Sequence, residues 1–382
     1  MTPLYFDSAA TTPLDPDVAA EMLEAMRGLR GNPSSASHCF GQAAAQQVEA
    51  CRASIAAEFR CEPDEILFTS GATEADNLAL LGLARAHAQH GRHLIVSAIE
   101  HRAVLACAEQ LEREGFEISR AQPDAAGRVQ PETIAALIRP DTLLISLIHT
   151  NNETGVQQPI AQVAELAAEA GVLLHVDAAQ AAGKFEIDLD EVPIDLLTVS
   201  AHKLYGPTGS GCLAVRHRRQ LRLAPLMFGG EQEYGLRPGT LSAHQIVGLA
   251  SALHRTAARR AEDLAQVRAV RERFLASLTA ALPLVVHADP ERCSPYILAL
   301  SIPGIPSDAL RNQLADSLAI ASGSACSSGT VEPSHVLRAM GVEGDLLYGA
   351  IRVSFDRTHR LSEADEAARR IIAAVARIRA LS

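Results

Sequence analysis

Lysine is nearly absent from this chain. Of 34 basic residues only Lys184 and Lys203 are lysine, and the rest are arginine. Arginine replaces lysine as a solvated surface cation almost anywhere, but its guanidinium does not release a proton near neutral pH. The two remaining amines are therefore candidates for chemistry that needs a deprotonatable nitrogen, such as imine formation with a carbonyl compound.

Other absences exclude whole classes. The 382 residues carry a net charge of −11 rather than a basic excess, which argues against broad or direct binding to nucleic acid or an anionic membrane. No apolar run approaches the roughly 20 residues that a membrane span requires. The start, Met1-Thr2-Pro3-Leu4-Tyr5, has neither a basic segment nor an apolar core of the kind a secretory leader carries. Cysteine is present without pairing signals: Cys39, Cys51, Cys61, Cys107, Cys212, Cys293 and Cys326 are scattered, odd in number and without a Cys-x-x-Cys spacing. That usage fits a reducing, cytoplasmic setting with most thiols as small core residues, and no metal site is expected. Neither an internal repeat nor a low-complexity linker is found.

With 48% hydrophobic residues, a chain of this length supports a large core, and a division into two domains is expected. Short apolar runs at Ile66–Phe68, His93–Val96, Leu143–Ile148, Val172–Val176 and Asp195–Val199 read as buried strands. Between them Glu74–Gln89, Ala103–Glu114 and Ile160–Ala170 carry helix-spaced Leu, Ala and Val. This alternation predicts an α/β fold with a mostly parallel sheet covered on both faces. From about residue 243 an Ala/Arg/Leu-rich helical stretch leads to a smaller α/β region with strands near Tyr296–Ile302 and Ile351–Phe355 and helices near Asp308–Ser317 and Glu363–Ala380. Ligands of such sheets bind beyond the carboxyl ends of the strands, so the loops that follow strands hold the candidates.

Lys203 follows one such strand in Ser200-Ala-His-Lys and precedes a Gly-Pro turn. Lys184 is also on a post-strand loop, but Glu186, Asp188 and Asp190 follow it, and a structural or surface ion pair is expected there. Asp177, ending the run Leu174-His-Val-Asp, either caps the next helix or pairs with a cationic ring nitrogen such as that of pyridoxal phosphate. In Thr69-Ser-Gly-Ala-Thr-Glu74 a strand turns at small residues into a helix, so backbone N–H groups and the Thr73 hydroxyl point where a phosphate would bind. The glycines of Gly206–Gly211 lack the spacing of nucleotide loops and read as a tight turn. His87, His90 and His93 read as a surface cluster rather than a metal site. Cys326, flanked by Ser, Gly and Ala from Ala321 to Gly329, reads as a thiol presented by a mobile loop. A neighbouring base such as His101 or the substrate amine would activate it.

Taken together, the segments resemble the pyridoxal-phosphate-dependent cysteine desulfurases of the housekeeping and nitrogen-fixation iron–sulfur group, in the class V aminotransferase superfamily. The likeness runs nearly end to end. It is carried by Tyr5-Phe-Asp-Ser-Ala-Ala-Thr-Thr-Pro13, Gly31-Asn-Pro-Ser-Ser35, Thr69–Glu74, Glu100-His101, His149-Thr-Asn-Asn-Glu-Thr-Gly155, His175-Val-Asp-Ala-Ala-Gln180, Ser200–Lys203, Arg237-Pro-Gly-Thr240 and Ser322-Gly-Ser-Ala-Cys326.

The resemblance implies fold type I, with a large domain at 14–255 around a mostly parallel seven-stranded sheet. A smaller α/β domain would comprise 1–13 and 256–382 and carry the cysteine loop. It implies that L-cysteine is converted to L-alanine while the sulfur passes, as a persulfide on Cys326, to an acceptor protein. That acceptor would be a cluster scaffold, a tRNA-thiolation relay or a DNA sulfur-modification system. Lys203 becomes the Schiff-base lysine, Asp177 the partner of the ring nitrogen, Gln180 the contact on the ring-hydroxyl side, and His101 the ring-stacking proton carrier. Ala72, Thr73, Ser200 and His202 would hold the phosphate, with Thr240 reaching in from the second subunit of a homodimer. Asn152 would lie near ring and substrate, and Arg352, assisted by Asn32, would grip the substrate carboxylate. Glu231 and Ala201 depart from the family, which usually has Gly and often Ser there. A selenocysteine lyase or small-amino-acid aminotransferase would share the fold, but an aminotransferase needs no thiol and leaves Cys326 unexplained. A silent partner subunit would have no reason to retain Lys203, Asp177, His101 and Cys326 together.

Overall fold

The computed structural model describes residues 2–322 and 333–381. In chain order the strands are β1 (Leu4–Tyr5), β2 (Ile66–Thr69), β3 (His93–Ser97), β4 (Glu117–Ala121), β5 (Thr142–Ile148), β6 (Leu173–Asp177), β7 (Leu196–Ser200) and β8 (Gly211–Val215). They are followed by β9 (Val285–Val286), β10 (Ile297–Ser301), β11 (Leu318–Ala319), β12 (Ala321–Ser322) and β13 (Ala350–Ser354). One sheet runs β2-β8-β7-β6-β5-β3-β4. Only β8 is antiparallel to its neighbours, so the other six strands share one direction.

Period-two alternation explains how this sheet is covered. Ile66, Phe68, Ile95, Ile145, Leu147, Leu197 and Val199 face one core, which the helices Cys39–Phe59, Ile160–Ala170 and Ala243–Ala258 close. Their chain neighbours Leu67, Leu94, Val96, Leu144, Leu196 and Leu213 face a second core, closed by the helical stretch from Ala72 to His87 and by Arg102–Arg113. Strands buried on both faces lose polar alternation, which is why they read as continuous apolar runs. Two strands did not read that way. β4 is one of the two edge strands and keeps exposed Glu117 and Arg120, and β8 is hidden behind the glycine turn that precedes it.

A smaller antiparallel sheet runs β12-β13-β10-β9, and β1 pairs in parallel with β11. The amino-terminal strand thus belongs with the far end of the chain. Phe6 packs against Phe274 and Phe355 at 6.1 and 5.7 Å between ring centroids, inside a core that also takes in the helices Arg260–Thr279 and Leu361–Leu381. The helix His335–Ala339 instead gives Val336 and Leu337 to the large sheet's core.

The histidine trio divides. His90 is exposed and His87 touches the carbonyl of Arg222, but His93 is buried in β3 between the hydroxyls of Thr142 (2.7 Å) and Ser119 (2.9 Å), so it is no surface residue. A strand that starts at His93 forces that side chain inward, a constraint invisible in the spacing of three. Among the described residues no group of three or more ligating side chains suits a metal ion, and no helix is long and apolar enough to cross a membrane.

Candidate active site

Six parallel strands end at Thr69, Ser97, Ala121, Ile148, Asp177 and Ser200, and the loops after five of them converge on one cleft of about 650 Å³. The walls include Ser70–Glu74, His101, Asn152 with Glu153, Asp177 with Gln180, and Ser200 with His202 and Lys203. The smaller sheet closes the cleft with Ser322 of β12 and Arg352 of β13, and the amino-terminal segment adds Asp7, Ala9 and Ala10. This is the position at which open parallel sheets bind ligands.

A single helical turn, Ala201–Lys203, follows β7 and aims Lys203 into the cleft. Its ammonium donates to the carbonyl oxygens of Ala9 (2.6 Å) and Ala10 (2.7 Å), and among the described residues no carboxylate forms an ion pair with it. Burial, reinforced by the Arg352 guanidinium, pulls the amine down to about 8. A neutral amine is therefore accessible at a pH where an ordinary lysine, near 10.5, is almost fully charged.

Lys184 behaves differently from the sequence expectation. It is buried, and its ammonium stands 4.9 Å from the ring centroid of Tyr296. Among the described residues no ion pair joins it to Glu186, Asp188 or Asp190, and Asp188 pairs with Arg60 at 2.6 Å instead. Burial pulls this amine to about 7. The turn Ala181–Phe185 folds the lysine under the loop rather than over it, because its backbone closes onto Ala181. Unlike Lys203, it does not line the cleft.

Asp177 ends β6 at the cleft floor, and its carboxylate accepts from the Ala179 N–H at 2.9 Å. No helix follows β6 for Asp177 to cap; its side chain instead closes the turn that begins at Ala179. Burial, and then the nearby Asp76, push its carboxyl up to about 6. His101 caps the helix Arg102–Arg113 by accepting from the Ala103 N–H at 3.2 Å. Its ring is exposed to the cleft, yet surrounding protein, partly countered by Asp177, holds it below the ordinary histidine value. Gln180 donates to the Ala9 carbonyl at 2.9 Å, while its side-chain oxygen is buried without a partner among the described residues. His202 touches the Thr11 hydroxyl at 3.2 Å and is pulled to about 4 by burial and by Lys203.

The turn from β2 into the next helix depends on two glycines. Gly71 has φ +143°, a conformation that L side chains rarely adopt. A β-carbon at Gly211 would lie 2.7 Å from the Gly71 Cα, so β8 approaches this turn only because residue 211 is glycine. The result places the first N–H groups of the helix, at Ala72 and Thr73, beside Ser200, in an arrangement suited to an anion.

These features fit pyridoxal phosphate. A buried acid faces the cleft floor, a depressed amine rises beside it, an unpartnered amide oxygen waits on one side, and hydroxyls and N–H groups gather at one end. Arg352 suits the remaining substrate end. It donates to the Asp7 carboxylate and the Asn152 carbonyl, both at 2.8 Å, and its Nε is buried without a partner among the described residues. Asn152 is presented by a tight turn in which the Asn151 side chain accepts from the N–H groups of Glu153 and Thr154 at 2.9 Å.

Not every sequence candidate joins this cleft. Asn32 is exposed and its side chain accepts from the Ser34 N–H at 2.9 Å, closing its own turn. Thr240 is also exposed and outside the lining, although Arg237 in the same segment pairs with Glu74 at 2.9 Å. Cys326 lies outside the described residues. Asp7, Glu153 and Arg311 line the cleft without having been singled out. Asp7 was legible as the acid within Tyr5–Pro13, but only the β1–β11 pairing shows that it reaches Arg352.

The aminotransferase class-V family model matches residues 4–366. The chain is 44% identical to the cysteine desulfurase IscS of Pseudomonas aeruginosa over 382 residues, covering all of this chain and 94% of that protein. Among solved structures, a NifS-like protein superimposes with a TM-score of 0.92 at 32% identity, covering 98% of this chain and all of that one. SspA in complex with cysteine superimposes with a TM-score of 0.83 at 34% identity, covering 93% and 99%.

Proposed function

The chain belongs to the class-V aminotransferase family and is a pyridoxal-phosphate-dependent cysteine desulfurase, and from that premise we propose how its residues divide the work. Lys203 holds the cofactor covalently, Asp177 the ring nitrogen, Gln180 the hydroxyl side and His101 the ring face. Ala72, Thr73, Ser200 and His202 hold the phosphate. When bound, the cofactor supplies an electron sink for negative charge at the substrate α-carbon.

Arg352 receives the cysteine carboxylate in bidentate fashion, already oriented by Asp7 and the Asn152 carbonyl. Asn152 and Asn32 are assigned to the substrate side. Once its nitrogen is free, Lys203 moves protons at the α-carbon, a role its depressed basicity suits. The Cys326 thiolate attacks the substrate sulfur and the carbon–sulfur bond breaks. The bonding pair stays with the carbon, which takes up a proton and leaves as alanine, and Cys326 keeps the persulfide for an acceptor protein. Whether that acceptor is a cluster scaffold, a tRNA-thiolation relay or a DNA sulfur-modification system is decided outside the cleft.

A homodimer is part of this reading. Thr240 has no place in its own cleft, the Arg237–Glu74 pair ties its segment to the phosphate turn, and Phe228 nearby in sequence is 89% exposed. The division into 14–255 and 1–13 with 256–382 is supported by the separate apolar core around Phe6, Phe274 and Phe355. The unpaired cysteine set supports a cytoplasmic site of action.

The observation that carries the assignment is the Lys203 amine, depressed by burial and held by two carbonyl oxygens, in the same cleft as Asp177 and Arg352. Borohydride reduction of the yellow holoenzyme, followed by peptide mapping, tests it. The modified lysine is expected at Lys203, and modification at Lys184 would contradict the reading.

A further inference from the structure

Behind the cleft floor lies a buried polar cluster that the roles above do not use. Asp76, Glu100, His175 and Asp177 are all buried, on the helix after β2, the loop after β3 and strand β6. His175 and Asp177 stand two residues apart on β6 and so share one face of the sheet. The His175 ring bridges its neighbouring strands, touching the Ser146 hydroxyl at 2.9 Å and the Thr198 hydroxyl at 3.1 Å. Asp76 approaches the same ring nitrogen as Thr198, at 3.5 Å. Among the described residues neither Asp76 oxygen has a hydrogen bond of ordinary geometry, the Thr198 hydroxyl being a nearby donor, and Glu100 keeps one oxygen without a partner while the other accepts from Ser97 (2.6 Å) and the Ile148 N–H (2.7 Å).

Such a cluster cannot hold three anions. An ionised carboxylate without hydrogen bonds in a dry site costs several kcal/mol, and like charges add to that. The groups facing Asp76 are His175, Asp177, Glu100 and Cys107, and none is a fixed cation. Asp177 differs from the other two acids because it opens onto the cleft, with His101 and Lys203 on its far side.

We propose that Asp76 and His175 are positioning residues for Asp177, sharing one proton behind the cleft floor so that Asp177 is the carboxylate of the cluster that carries negative charge toward the cofactor ring. This rests on the placement of Asp177 at the ring nitrogen. Burial acts in the same sense on each member, raising Asp76 to about 7 and Glu100 to about 8 and lowering His175 to about 4. The proton therefore sits on Asp76, and the imidazole stays neutral. Asp76→Asn mimics the protonated acid, whereas Asp76→Leu removes the polar approach of residue 76 to His175 and leaves the Ser146 and Thr198 contacts in place.

Two readouts test the coupling. Infrared difference spectra of the cofactor-free protein at pH 7, wild type minus Asp76→Asn, should show a protonated-carboxyl band, and its absence overturns the proposal. In the holoenzyme, the pH at which the cofactor absorbance changes should be unmoved in Asp76→Asn and displaced by about one unit or more in Asp76→Leu. If the leucine variant does not fold, His175→Gln carries the same expectation. Equal displacement by Asn and Leu, or none by Leu or Gln, contradicts the coupling. Asp177→Asn serves as the control: if it leaves the absorbance titration unchanged, the placement of Asp177 fails and the coupling with it, whereas a normal response there with unmoved Leu and Gln variants overturns the coupling alone.

Discussion

The Lys203 ammonium lies 2.6 Å from the carbonyl oxygen of Ala9, a residue almost 200 positions earlier in the chain. The same carbonyl accepts from the Gln180 amide at 2.9 Å. The amino-terminal segment therefore holds the reactive amine by weak, neutral acceptors rather than by an ion pair. Among the described residues no carboxylate forms an ion pair with it, so burial and the Arg352 guanidinium outweigh the more distant Asp177 and Asp7 and pull the amine down to about 8.

Uptake of the cofactor by the cofactor-free protein should follow that amine. Only the neutral form attacks an aldehyde, so the rate should rise as pH increases to about 8 and then level off. Stopped-flow absorbance against pH measures it. A rate that keeps climbing toward pH 10 would show an unperturbed lysine.

Arg352→Lys keeps the charge but loses the planar fork that Asp7 and Asn152 orient. The loss of one charge-assisted hydrogen bond, worth roughly 1.5–3 kcal/mol, should lower kcat/KM for L-cysteine by about 10–100-fold, chiefly through KM. The cofactor absorbance should be unaffected. Steady-state alanine release separates the two.

How much of this was legible beforehand depended on where each residue's partners lie. The five central apolar runs, and the loops after them, stood out because a strand covered on both faces must be apolar throughout. Lys203, Asp177 and Thr73 follow such strands directly, so local sequence pointed to them. Asp7 and Arg352 are 345 residues apart and meet only through the pairing of β1 with β11 and of Asp7 with Ser354, which no local pattern reveals. Lys184 misled for the opposite reason: its acidic neighbours in sequence face elsewhere, and its nearest ring belongs to Tyr296, over a hundred residues away. Glu100 and Asp76 could not be told from surface acids, since only the packed sheet makes them dry.

Arg52 and Glu233 form a buried pair at 2.7 Å, and Glu233 also accepts from the Phe68 N–H at 2.7 Å. Glu233 adopts this place at φ +45°, in the left-handed region. Glu233→Ala leaves the buried Arg52 guanidinium beside Phe68 with only the exposed Glu49 carboxylate, 3.2 Å away, and should destabilise the protein by about 2–4 kcal/mol. Chemical denaturation measures this. A change under about 1 kcal/mol would mean that water reaches Arg52.

Asp76 gives a pH-dependent counterpart. Its folded value, about 7, lies above the unfolded value of about 3.9, so the fold holds a proton that the unfolded chain releases. The group's contribution is therefore fully present below pH 4 and lost as pH rises toward 7. Asp76→Asn should gain stability relative to wild type across that window, on the order of 2–4 kcal/mol in the cofactor-free protein. Melting curves at pH 5 and pH 8 check the sign, and a relative loss at the higher pH would reverse the assignment.

The most direct test of the account is Cys326→Ala in purified holoenzyme given L-cysteine and a thiol reductant. The variant is predicted to stay yellow, with Lys203 still the borohydride-labelled residue, but to release neither sulfide nor alanine at a rate above a few percent of wild type. Wild-type release of both products from Cys326→Ala would contradict the account at its centre.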